Sequence, residues 1–481
     1  MHYGRARIIH EGQTRHGSLV VRCSYLTTTH SQETPVLLDS ATPTYVFANP
    51  MSEPLHVAFD GGRLTSDGGL PWLAQADAAL GLCALVASFV PEWRKRTGQH
   101  SLETLVRQRI FPFACGDEDQ DDADTLRHDP LLKLVCGRLP DTGAPLASQP
   151  TLSRLDNAMD RRACYRLAVA LVALYLRERE RDGRPTRILL DLDGTDDPTY
   201  GAQEGTAYHA YYGQHMYHPL LIFDGDTNQL ITAVLRPGNV HASRGVVAIL
   251  KRLLPVLQQR WPGVQIVVRA DSGFAVPALD DLCEQLHVQY LIGLVPNARL
   301  KRLAEPVLAE AQQQGAETEE KVRHFGETQY QADGWKQARR VVIKAELLEK
   351  GPNVRFVVTN QSPPPQALYE GYVDRGEAEG WIKDFKNACR ADRLSCHDFW
   401  ANQFRLLLHG AAYWLLDTLR RWLLHLGSPR MQLDTVRLML VKIGGRVLQL
   451  ADRVRLRLAS SHPGQALWRL LAARRFMNNP G

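Results

Sequence analysis

No C-x-x-C pair occurs among the eight cysteines, and the first residues lack the charged, apolar and small-residue order of a secretory signal. The thiols read as reduced and scattered, which argues against a disulfide-stapled extracellular scaffold and for a cytoplasmic protein. The one local grouping, Cys389, Cys396 and His397, has none of the usual zinc-ligand spacings. Long uninterrupted apolar runs are also missing. The longest, Phe404 to Leu426, is broken by Arg405, His409, Asp417, Arg420 and Arg421, so it reads as a core helix and not as a membrane span. Nor is there a large charge surplus: a net +5 suits a polyanion partner without requiring one. Hydrophobic residues at 44% and charged residues at 23% are those of an ordinary globular protein, and 481 residues allow about two to four domains.

What is present is a set of strands that end in carboxylates. Thr186 to Thr195, TRILLDLDGT, is an aliphatic run closing on two aspartates and a glycine, the pattern of a buried strand emerging at a sheet edge. Asp191 and Asp193 are two apart, so they share one face of that strand. Gln265 to Phe274, QIVVRADSGF, does the same: an aliphatic strand runs into Asp271 and a Ser-Gly turn. Two such strands suggest a metal site. A third part lies in Tyr372 to Lys386, YVDRGEAEGWIKDFK, where the spacing puts Tyr372, Arg375, Glu379 and Lys386 on one narrow helical stripe. A carboxylate between two cations is suited to meet metal and phosphate together, although Arg375 and Lys386 also have a plain reading as an ion-pair face with Glu379. Asp193, Asp271 and Glu379 would supply oxygen donors for two divalent ions and in-line displacement at a phosphodiester.

The remaining chain reads as support. Residues 1–50, rich in Thr, Ser, His and Pro, are expected to be a poorly ordered leader with at most a short strand near Ser18 to Val21. Translation from Met51 is an alternative, because globular patterning begins just after it. Helical periods cover Leu70 to Leu80, Leu85 to Arg94, Leu102 to Cys115, Asp124 to Leu134 and Arg161 to Arg181. Between them, Ser148 to Asp160 opens with Ser and Pro, and Arg154 sits early on its helix, where a helix-turn-helix reads DNA or where a merely solvated face would lie. The acidic run Asp117 to Asp124 reads as a solvated linker and helix start.

A Gly- and Tyr-rich passage, Asp196 to Tyr217, precedes a hairpin of HPLLIF and QLITAVL about a DGDTN turn. His209, His215, His218, Tyr208, Tyr211, Tyr212 and Tyr217 are expected to form a structured loop over the sheet edge, with DNA contact an open question. Asn239 and His241, after the third strand, are candidates to line the cleft beside Asp193. Helices Val246 to Trp261 and Pro277 to Leu286, with the strand Gln289 to Leu294, complete a mixed sheet covered by helices. Strands Arg339 to Glu346 and Val354 to Thr359 mark residues 301–366 as an inserted β subdomain. Asp398 to Leu426 then forms a long helix, and Thr435 to Leu458 alternates apolar residues with Arg.

These residues carry a family resemblance. The spacing Y-x2-R-x3-E-x6-K from Tyr372 to Lys386 matches the YREK motif of DDE transposases from bacterial insertion sequences. DLDGT, LRPGN (235–239), RADSGF and AEGWIKDFKN resemble blocks of one branch of that superfamily, in which a β-rich insertion precedes the catalytic Glu. The likeness covers about residues 55 to 465.

It implies an α/β, RNase H-like fold: a mixed five-stranded sheet with flanking helices, an inserted β subdomain and a helical N-terminal region. The expected layout is a leader (1–50), a helical DNA-end-binding region (51–180), a catalytic core in two parts (181–300 and 367–430) flanking the insertion (301–366), and a basic C-terminal region (431–481). The resemblance further implies that Asp193, Asp271 and Glu379 are catalytic and hold two Mg2+ ions, with Mn2+ as a substitute. It places the first Asp two before a Thr or Ser, which selects Asp193, with Asp191 a rival on the same face. Tyr372, Arg375, Lys386 and Arg154 would bind DNA. Related enzymes pass the transferred end through a DNA hairpin with a base stacked on a Trp of the insertion, and Trp335 is the only Trp there. The implied partners are double-stranded DNA, as terminal inverted repeats and target, and further copies of the chain when ends are paired. A catalytically silent, transposase-derived DNA-binding protein and a nuclease on RNA–DNA hybrids are the alternatives.

Overall fold

Alternation sets the central sheet. In Arg187–Gly194 (β1), Ile188, Leu190 and Leu192 are fully buried on one face, while Leu189, Asp191 and Asp193 lie on the other. The computed structural model describes residues 44–47, 55–94, 98–318, 322–348 and 351–478. The expected leader and its strand near Ser18 therefore lie outside the described residues, apart from Thr44–Phe47, which pairs antiparallel with Leu55–Ala58.

Seven further strands join β1: Leu220–Asp224 (β2), Leu230–Val234 (β3), Gln265–Ala270 (β4), Gln289–Leu294 (β5), Arg323–Tyr330 (β6), Arg339–Leu348 (β7) and Gly351–Thr359 (β8). Their order in one eight-stranded sheet is β6-β7-β8-β5-β4-β1-β2-β3. β4 runs parallel to both β1 and β5, and every other pairing in the sheet is antiparallel. The fold is thus mixed α/β. The expectation of five strands beside a separate β subdomain gives way to a continuous sheet. β8 pairs with β5, so the aliphatic run Phe356 to Thr359 covers what would be an exposed parallel edge.

Helices cover both faces. Leu102–Cys115 (α1), Arg161–Arg179 (α2), Val246–Arg260 (α3) and Pro277–Gln285 (α4) carry apolar stripes into the larger core, with Ser101 and Asp160 capping the first two. On the opposite face, Pro365–Val373 (α5) places Leu368, Tyr369 and Tyr372 on a small cluster of Leu189, Val267, Leu291, Val342 and Val357. Gly376–Lys383 (α6) follows, and a π turn over Asp384–Ala388. Phe399–His425 (α7), of 27 residues, is buried along most of its length and packs on β3, α1 and α2.

The charges that interrupt α7 are paired inside the protein. Arg405 donates to the Ser395 hydroxyl at 2.6 Å and to the Arg393 carbonyl at 2.9 Å, and Arg420 donates to Asp384 at 2.8 Å and also to Asp417. No helix among the described residues is long and apolar enough to cross a membrane.

Several expected helices are shorter. The one beginning near Leu85 is Leu82–Ala87, and the one from Asp124 is divided at Pro130 into Asp122–Leu126 and Pro130–Val135, the second capped by Asp129. The alternating stretch 435–458 ends in an antiparallel pair, Gly445–Gln449 with Val454–Leu458.

Candidate active site

Parity on parallel strands puts the acidic groups in rows. Across β1, β4 and β5, the same face carries Leu189 beside Val267 and Gln289, then Asp191 beside Arg269 and Leu291, and beyond them Asp193, Asp271 and Gly293. Both aspartates at the ends of β1 and β4 thus leave the sheet at its carboxyl edge, next to the helices α5 and α6. Asp271 caps the short turn Ser272–Phe274, accepting from the Gly273 amide at 2.8 Å. Arg375, between α5 and α6, donates to Asp193 Oδ2 at 3.1 Å.

Three acidic groups act on one another here. Burial pushes the Asp193 carboxyl up to about 7; Arg375 opposes that rise, while Asp271 and Glu379 add to it. Glu379 itself is exposed on α6 and makes no hydrogen bond or ion pair among the described residues. Converging carboxylates of this kind are the oxygen donors that Mg2+ takes, and a divalent cation would relieve the repulsion that raises Asp193. The donor chemistry fits such an ion, although among the described residues no three acidic, His or Cys side chains are gathered closely enough to form a ready cage. In this form Arg375 is the counter-charge of Asp193.

The YREK residues follow a bent path. α5 ends at Val373, tight turns run from Tyr372 to Ala378, and the π turn widens the chain at Lys386, so the straight stripe expected from the spacing is interrupted on both sides of α6. The interruption still leaves all four residues at the carboxyl edge of the sheet. The Tyr372 hydroxyl lies against Gly293, where an added Cβ would meet it and would also sit 3.1 Å from the Ser272 amide. Lys386 donates to the Asp196 carboxylate at 2.8 Å and to its carbonyl at 3.0 Å, three residues beyond Asp193.

Asp191 is differently placed. It is 1% exposed, and its two oxygens accept from Arg269 Nε at 2.6 Å and Nη2 at 2.7 Å. Arg269 Nη1 also donates to the Gly371 carbonyl at 2.6 Å.

Other expected residues lie outside the cluster. Trp335, in the turn between β6 and β7, is 9% exposed, edge-on to Tyr330 and beneath Arg339. Its ring belongs to the buried core. Arg154 is exposed on Gln149–Asp156 with no ion pair among the described residues, and Asn239 and His241 are exposed without a bond to Asp193 or Asp271.

The structure adds Arg269, Asp196 and Arg236, and brings His218 and Tyr212 of the Tyr-rich passage beside them. Arg269 and Asp196 are the partners just described. His218 and Arg236 flank Gly194, where an added Cβ would lie 2.6 Å from His218 Nε2 and 3.2 Å from Arg236 Nη2. Tyr212 packs 5.0 Å from Tyr211 and 6.0 Å from His218, and burial together with Asp196, Asp193, Tyr211 and Asp271 pushes its hydroxyl up to about 12. Parity alone could have found Arg269, which stands two before Asp271 as Asp191 stands two before Asp193.

No curated protein matches the sequence. Among solved structures, the chain is similar to the piggyBac transposase in a synaptic complex with hairpin DNA, at 11% identity and a TM-score of 0.42 over 78% of this chain and 79% of that one. A family model described as transposase DDE domain group 1 matches residues 47–477, and the chain therefore belongs to the DDE transposase family.

Proposed function

We propose that the protein binds the terminal inverted repeats of an insertion sequence, pairs the ends with further copies of itself, and catalyses Mg2+-dependent strand cleavage and strand transfer. One observation carries this reading: Asp193, from β1, is held by Arg375, and its carboxyl, raised chiefly by burial, is raised further by Asp271 and Glu379, so charges from three distant parts of the chain act on one carboxyl. The order β5-β4-β1-β2-β3, with β1, β4 and β5 parallel, supports an RNase H-like core around that point. Asp193, Asp271 and Glu379 would hold the Mg2+ ions, with Mn2+ able to replace them. Asp193 is favoured over Asp191 because Arg269 occupies both oxygens of the latter.

The bound ions would supply activation of a nucleophile and charge stabilisation at the leaving oxygen. The chain's own residues do the rest. Arg375 and Lys386, each now on a carboxylate, would turn to phosphates of the incoming strand. Tyr372, wedged against Gly293, fixes where that strand's backbone can lie. Phosphoryl transfer asks mainly for such positioning and charge stabilisation.

A duplex carrying the element's own ends tests this. The intact protein is expected to cut at the element boundary with Mg2+, and Asp193→Asn, Asp271→Asn and Glu379→Gln to bind the ends without cutting, with Asp191→Asn impaired less than Asp193→Asn. Binding by the intact protein with no cutting in Mg2+ or Mn2+ would instead establish a silent DNA-binding protein.

A further inference from the structure

The Asp191–Arg269 pair is buried, both partners are charged, and neither reaches the cleft. Arg269 is 3% exposed and Asp191 1%. Removing two charges from water is costly, and an apolar pair of similar volume commonly serves stability as well or better. Stability alone therefore does not account for the pair.

What the pair touches does. The guanidinium is a rigid fork of donors, and here it spends Nε and Nη2 on Asp191 of β1 and Nη1 on the Gly371 carbonyl of α5, while its own backbone belongs to β4. Each of those segments leads directly into the site. Asp191 is two residues before Asp193 on the same face, Arg269 two before Asp271, and Gly371 immediately precedes Tyr372, with Arg375 and Glu379 following on the same stretch. One side chain thus sets the separation of the three chain segments that bring the acidic groups together. Lysine, a single-point donor, has no fork to make these contacts.

We infer that Arg269 is a positioning residue: its fork to Asp191 and Gly371 fixes the spacing of Asp193, Asp271 and the Glu379 helix, and through that spacing the affinity of the site for its divalent ions. This rests on the proposed metal-dependent reading of the site and names the residue that tunes it. Arg269 touches neither ion nor DNA in this role.

The test uses the full chain and the double variant Asp191→Leu/Arg269→Met, which removes both charges together and leaves no lone buried ion. Thermal melting, binding of end DNA without metal, Mn2+ binding by electron paramagnetic resonance in the DNA complex, and single-turnover cleavage are measured side by side. The expected result is a melting temperature and DNA affinity like those of the wild type, Mn2+ binding weakened by about 10- to 100-fold as for other residues that orient metal ligands, and a cleavage rate lower by about 100-fold from misplacement of the reacting groups. A double variant that binds Mn2+ and cuts as the wild type does overturns the inference and leaves the wild-type site reading intact. A wild type that neither binds Mn2+ nor cuts overturns the site reading, and this inference with it. If the double variant does not melt cooperatively, Arg269→Lys decides: kcat lower by about tenfold or more at unchanged DNA KM supports positioning, and wild-type kcat refutes it.

Discussion

Single residues show how tightly the site is built. Gly293 has no Cβ because the Tyr372 hydroxyl and the Ser272 amide fill that space. Gly293→Ala is expected to push Tyr372 aside and lower end cleavage by about tenfold or more, on the scale expected for small misplacements near a reacting group. Adding Tyr372→Phe, which removes the hydroxyl, should recover part of the loss, and a double-mutant cycle with no coupling between the two would contradict this contact. The motif letters made Tyr372 legible in the sequence but not what it rests on. Likewise Asp193 and Asp191 were indistinguishable by parity; the resemblance selected Asp193, and in the fold the fork of Arg269 sets Asp191 apart.

A second residue titrates within the physiological range. Burial pushes the Asp280 carboxyl on α4 up to about 7, against the pull of Arg339. The unfolded chain has an ordinary carboxyl there, so between pH of about 4 and 7 the folded state holds the extra proton, and stability falls as pH rises through that window. Asp280→Asn should remove its share of this slope and leave that of Asp193. Its melting temperature relative to the wild type should rise from pH 5 to pH 8, whereas parallel pH profiles would count against it.

Elements were legible where one period dominated. β1, β4, β5 and the long helix α7 lie close to where alternation, aliphatic runs and helical spacing put them. What the sequence hid was pairing across distance. The strands after residue 320 look like a unit of their own when read locally, and only the register of β8 on β5 shows that they extend the main sheet. The bend between α5 and α6 was hidden for a similar reason: a repeat of spacing signals a continuous helix, while tertiary contacts of Tyr372 and Arg375 favour a break. In α7, charges that looked like interruptions are internal partners. Arg420→Leu would leave Asp384 without its cation and Asp417 with Arg421 alone, and chemical denaturation should register a loss of about 3–5 kcal/mol, as expected for a broken buried pair. A change below about 1 kcal/mol would mean that the network is not energetically coupled.

At the scale of the whole molecule, Asp193 and Asp271 stand at the carboxyl edge of the parallel strands while the chain keeps a net charge of +5. A polyanion must then be drawn to the protein mainly by Lys and Arg away from that edge. Affinity for end DNA is expected to fall by about a thousandfold or more between 50 and 200 mM salt, as counterion release requires for several phosphate contacts. A flat salt dependence would contradict DNA as the partner. The compositional excess was visible from the start, but its placement depends on the fold.

If Asp193 is a metal ligand, as proposed, a change of its ligand atom should change which metal supports cleavage. Thiolate suits Mg2+ poorly and softer cations better. For Asp193→Cys, cleavage of end DNA is expected to be abolished in Mg2+ and to return in part in Mn2+, with end binding unchanged. Equal loss in both metals, or full activity in Mg2+, would contradict it.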